Sequence, residues 1–183
     1  MHDSIQQLLA RADAARMAKQ PEDAKRALLE AASAARAQEY APDLAAALCA
    51  LGQIERDLKD LGAALKHYRE AEKLYRGLGE DLGVAHALRH IGDVLRERSA
   101  PKHDDALACY KEALAIYRNC EPERRLDLAN TLRGLALLKQ STGEMADATS
   151  HWIEARDLYA SVGVNAGVEE SARRLAALKA ERE

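Results

Sequence analysis

Two histidines and an aspartate carry the most specific chemical spacing in the chain: His86, His90 and Asp93 stand at i, i+4 and i+7. On a helix all three would share one face, and two imidazoles with a carboxylate suit a transition metal. No HExxH arrangement and no cysteine ligand accompanies them, so the spacing is expected to give a polar face, not a metal centre. The three cysteines, Cys49, Cys109 and Cys120, form no CxxC pair and have no recognisable histidine partner. They read as inert, reduced thiols. His67, His103 and His151 are expected to face solvent. The acid pair Glu169–Glu170 reads as the solvated start of a helix, favoured by the helix dipole. No P-loop, GxSxG or dinucleotide fingerprint is present, so neither enzymatic activity nor a cofactor is expected.

The elements that carry these groups are helices. The 183 residues are 48% hydrophobic and 31% charged, a globular balance, and alanine recurs among Leu, Glu, Lys and Arg. Phenylalanine is absent and aromatics make up 4%, which disfavours a sheet built from aromatic and β-branched runs.

A segment Ala-x3-(large)-x2-Ala recurs four times, as Ala24–Leu28–Ala31, Ala64–Tyr68–Ala71, Ala106–Tyr110–Ala113 and Ala148–Trp152–Ala155. The steps between first alanines are 40, 42 and 42 residues. Upstream lies a second motif, an apolar residue followed by a small one: Leu51-Gly52, Ile91-Gly92 and Leu135-Ala136, with a degraded Arg11-Ala12 before the first copy. The gap from small residue to first alanine is 12 in three repeats and 14 in the third, where Ser99-Ala100-Pro101 lengthens a turn. All four prolines fall in expected breaks, Pro21 and Pro101 within repeats and Pro42 and Pro122 between them. Gly77, Gly79, Gly83, Gly163 and Gly167 are read as punctuating linkers.

In these motifs the chain resembles the tetratricopeptide repeat family. The closing proline of that pattern is replaced by Arg36, Arg76, Arg118 and Ala160. The second aromatic is replaced by Glu55, Leu95 and Lys139. The period exceeds the family's usual ~34 residues, similar to kinesin light chains and the sensor arrays of bacterial regulators. The resemblance implies an all-α fold: a right-handed α-solenoid of four helix-turn-helix repeats, read as one domain spanning 1–183. Repeats are expected at about 3–37, 43–77, 81–119 and 124–161, with a capping helix at about 167–181. In the cap, Ala172, Leu175, Ala176 and Leu178 are placed inward, and Glu170, Arg173, Arg174 and Lys179 outward.

Such repeats imply a protein-interaction scaffold that holds a peptide or helix in a concave groove lined by first helices. The groove candidates are Arg16, Gln53, Arg56, His86, Arg89, His90, Asp93, Arg96, Asn130, Arg133 and Arg173. Arg16, Arg56 and Arg96 occupy equivalent places, as do Arg89, Arg133 and Arg173. Guanidinium forks suit an acidic partner, although Asp13 and Asp93 could serve as local counter-charges. The family's Lys/Asn carboxylate clamp is not reproduced at the matching positions Leu9, Asp13, Ala50, Asn130 and Gly134. Net charge is −3, so nucleic acid is not an expected partner. No signal-peptide pattern or membrane span is read, and a cytoplasmic protein is expected. A homo-oligomer remains an alternative, because Leu9, Ala12 and Met17 give the weak first repeat an apolar end.

Overall fold

The computed structural model describes residues 4–120 and 122–180. Among them lie nine helices and no strand: α1 (Ile5–Met17), α2 (Pro21–Ala37), α3 (Ala41–Asp57), α4 (Leu61–Leu78), α5 (Asp81–Glu97), α6 (His103–Arg118), α7 (Arg125–Ser141), α8 (Met145–Ser161) and α9 (Asn165–Ala180). The fold is all-α, a succession of helix-turn-helix repeats. Expected helix positions 3 and 181 lie outside the described residues. No helix among the described residues is long and apolar enough to cross a membrane. Contacts divide the chain into two compact units, residues 1–90 and 91–183, with the division inside α5. In the first unit α1, α2, α3 and α4 pack each on the next; in the second, α6, α7, α8 and α9 do so.

Helix ends are set by one device used repeatedly. Left-handed residues fall at 19, 39, 59 and 79 in the first unit, and at 143 and 163 in the second, so the spacing is 20. After each, the next N–H reaches back five residues: Gln20 to Ala15 at 2.9 Å, Tyr40 to Ala35 at 2.9 Å, Asp60 to Glu55 at 2.8 Å and Glu80 to Tyr75 at 3.0 Å. Glu144 to Lys139 and Val164 to Tyr159, both 2.9 Å, repeat the pattern. This is the Schellman termination, which favours glycine at the left-handed position. Gly79, Gly143 and Gly163 meet that preference; Lys19, Glu39 and Lys59 do not. Glu39→Gly or Lys59→Gly is therefore expected to raise stability by about 0.5–1 kcal/mol each, read as a higher urea midpoint at unchanged m-value. Pro21 and Pro42 open α2 and α3 instead of lying in breaks. At the first two helical positions the missing N–H has no intrahelical partner to lose.

The core is built from large rings laid on residues without side chains. Tyr68, Tyr110 and Trp152 are fully buried. A Cβ on Gly52 would meet the Tyr68 ring at 2.9 Å, and one on Gly92 or Gly134 would meet Tyr110 at 2.9 and 2.7 Å. Gly83 and Gly167 are corrected by the structure: each is the third residue of a helix, α5 or α9, not a linker. A Cβ there would stand 2.4 Å from the Tyr75 ring and 2.5 Å from the Tyr159 ring. Both contacts include the ring carbon next to Cβ, which cannot swing away. Gly83→Ala is expected to cost about 1–3 kcal/mol through overpacking, visible as a lower denaturation midpoint, although alanine is the better helix former. Gly77 lies inside α4 with open space around it.

The face of α9 is rotated from its expected setting. Gly167, Ser171 and Leu178 are buried, Leu175 is half-buried, and Ala172 and Ala176 are exposed. Glu170 turns inward, as described below.

Candidate first-helix binding face

In the first unit, α3 and α5 bring Arg56, His86, Arg89 and His90 into one cluster. His90 is 6% exposed. Its ring lies parallel to that of Tyr68, with centroids 4.9 Å apart and an interplanar angle of 1°, and the His86 ring meets it edge-on at 4.7 Å. Arg89 donates from Nη2 to His90 Nε2 across 2.8 Å. A guanidinium has no acceptor, so Nε2 must be the bare nitrogen and Nδ1 carries the proton. That Nδ1 is buried with no hydrogen-bond partner. Burial first, then the charges of Arg89, His86 and Arg56, hold His90 far below the ordinary imidazole range. The imidazole is neutral at any physiological pH.

Two other groove candidates of this unit are locally satisfied. Arg16 faces Asp13 across 3.6 Å on an exposed stretch of α1, and Gln53 donates to Asp57 at 2.9 Å. Cys49 is buried beside Tyr75, and burial, partly offset by the Tyr75 hydrogen bond and by Arg89, pushes its thiol up to about 12. A protonated, buried thiol is neither nucleophile nor metal ligand.

In the second unit the corresponding groups are held by internal partners. Tyr110 donates its hydroxyl to the buried Asp93 at 2.7 Å. Burial, followed by the Asp93 charge, raises the Tyr110 hydroxyl well above its usual range. Arg96 reaches Glu97 at 2.9 Å and Asp93 at 3.9 Å. Asn130 accepts from the Tyr159 hydroxyl at 2.8 Å. Arg133 grips Glu170 of α9 with both arms of its fork, Nε to Oε2 at 2.7 Å and Nη2 to Oε1 at 2.9 Å. The Glu170 hydrogen bonds hold the Arg133 guanidinium still further above its high ordinary value. Arg173, on the same helix, is exposed. Among the described residues no three His, Cys, Asp or Glu side chains converge on a point that would hold a metal ion.

Sequence reasoning missed a second polar cluster, in the first unit. Glu55, 4% exposed, stands where the family pattern expects an aromatic. Its two oxygens meet Lys25 at 3.4 Å and His67 Nδ1 at 2.8 Å. His67 is thus drawn to a buried carboxylate instead of facing solvent, and His103 and His151 are also half-buried. Burial lowers the His151 imidazole from its ordinary value. The available signal was pairing: an acid at a buried register twelve residues before a histidine on the partner helix. In the proline register, Arg36 meets Glu70 at 2.5 Å and Arg118 meets Glu154 at 3.0 Å, so arginine there joins successive second helices.

Residues 43–119 match the family model of the tetratricopeptide repeat. That stretch of the chain is built of tetratricopeptide-type repeats. No curated protein matches this repeat protein in sequence. Among solved structures it is similar to BtubC (BKLC) from P. vanneervenii, at 17% identity over 97% of this chain and 80% of that one, with a TM-score of 0.68. It is also similar to aspartyl phosphate phosphatase F from Bacillus subtilis, at 15% identity and a TM-score of 0.80 over 94% of this chain. The likeness spans 45% of that phosphatase. A Podospora anserina protein described as a kinesin light chain with nearly identical TPR-like repeats aligns over 100% of this chain and 99% of its own, at 13% identity and a TM-score of 0.60. At these identities the likeness is one of fold.

Proposed function

We propose that the repeat protein is a non-catalytic interaction module that holds a peptide or helical segment of a protein partner against its first-helix face. The observation that supports this is the gathering of Arg56, His86, Arg89 and His90 on α3 and α5, with Arg89 oriented by a neutral histidine stacked on Tyr68. Guanidinium forks beside imidazoles bind carboxylates well, so the partner segment is acidic. The buried, protonated Cys49 beside this face supplies no catalytic nucleophile. Free cysteines throughout the described residues suit a reducing, cytoplasmic setting.

The test is comparative capture. Immobilised protein and an Arg56→Glu, Arg89→Glu variant of matching circular dichroism are exposed to the same lysate. Partners kept by the first and lost by the second support the reading; the same set on both refutes it.

A second reading, self-association, has one observation in its favour. Met17 is 87% exposed at a groove of about 670 Å³ lined also by Ile54, Pro21 and Arg16. Sedimentation across a hundredfold range of concentration separates the two: a strict monomer leaves the groove without that role.

A further inference from the structure

The helix α9 buries few of its side chains. Of its 16 residues only Gly167, Ser171 and Leu178 are buried, against four of 17 in α8, two of them the large rings of Trp152 and Tyr159, and eight of 17 in α7. Two of those three are small, so α9 contributes little apolar area of its own. Its register is fixed at three points. Gly167 lies flat under the Tyr159 ring, Glu170 fills the Arg133 fork, and Leu178 enters the cluster around Trp152, Ala136 and Ala148. It is joined to α8 through a turn centred on Gly163 at φ +73°, with open space around that glycine.

We propose that the α7–α8 face is a helix-docking site whose resident occupant is α9, and that a partner helix with the same register can take its place. The geometry specifies that partner: a glycine or other residue small enough to pass beneath Tyr159, a carboxylate three positions later for Arg133, and a leucine eleven positions after the small residue. The bidentate contact is what makes an acid, and not any polar residue, the matching group, because a guanidinium fork pairs both carboxylate oxygens at once. Thin apolar attachment leaves the tethered helix at the low-stability end of the fold, where local opening is most frequent. Opening exposes the same three features to a competitor.

The probe is a fluorescent peptide of residues 165–180, titrated by anisotropy into the full chain and into its Glu170→Arg variant. In that variant a like charge meets Arg133, and exchange of α9 amide hydrogens should quicken at least tenfold while α7 and α8 stay protected. The peptide should bind the variant at least tenfold more tightly than the wild-type chain. Replacing the peptide's glutamate by glutamine should remove at least fivefold of that affinity, because the fork loses one of its two partners. Leu178→Ala, which loosens α9 without touching Arg133, should open the site in the same way and serves if Glu170→Arg disturbs folding. Equal affinity for wild-type and opened chains, absence of binding to both opened variants, or indifference to the glutamate would overturn the proposal.

Discussion

Trp152→Ala is expected to cost about 3–5 kcal/mol, the range for emptying a fully buried aromatic site. The indole is 0% exposed and is surrounded by Ala136, Ala148 and Leu178, with Leu137, Met145 and Leu175 around them. Two of its three buried neighbours are alanines, which cannot extend into the space, so much of the cavity stays open. Its N–H also donates to Gln140 at 2.8 Å, and truncation leaves that acceptor without its partner. Trp152→Phe keeps much of the packing and loses the hydrogen bond, for an expected cost of about 1–2 kcal/mol. Urea denaturation measures both. Hydrogen exchange adds a spatial check, because Leu178 ties α9 to this cluster: α9 should lose protection before α7.

The second large effect is on pH dependence. His90 is neutral in the folded protein because burial and the surrounding cations oppose its protonation, whereas in the unfolded chain it titrates near the free imidazole value. The unfolded state therefore binds the extra proton as pH falls below that value, and acid favours unfolding. The His90 contribution is fully present above pH ~6.5 and is lost progressively below it, at up to about 1.4 kcal/mol per pH unit. Between pH 6.5 and 5 the unfolding free energy should fall by roughly 2 kcal/mol more in the wild type than in His90→Phe, which keeps a ring against Tyr68 and cannot be protonated. His151, lowered for the same reason, adds a smaller slope of the same sign in both proteins. Parallel pH profiles for the two proteins would show that His90 is protonated within the fold.

Much of the fold was legible because spacing encodes it. Alanines at 24, 64, 106 and 148 and the rings at 68, 110 and 152 mark the positions where helices meet, and a step of 40–42 residues is visible without any structure. The turns were less legible. Lys19, Glu39 and Lys59 take left-handed conformations with no glycine to announce them, because the surrounding helices fix the turn and the strain is small beside their packing. Gly83 and Gly167 misled in the opposite sense: glycine read as a breaker, while its role was to admit an aromatic ring onto a helix surface. The candidate face could be listed residue by residue but not sorted. Which arginine already has an internal partner depends on contacts between helices 37 residues apart, as for Arg133 and Glu170. Charge alone gave no sign that His90 would be neutral, since that follows from burial against Tyr68.

The most direct test of the binding face is a hydrogen-exchange footprint of the wild-type protein with its best captured partner bound. Protection is expected on α3 from Gln53 to Arg56 and on α5 from His86 to His90, with little change on α4. Protection confined to the second helices α2, α4, α6 and α8, with α3 and α5 exchanging as in the free protein, would contradict the assignment of the first-helix face as the working surface.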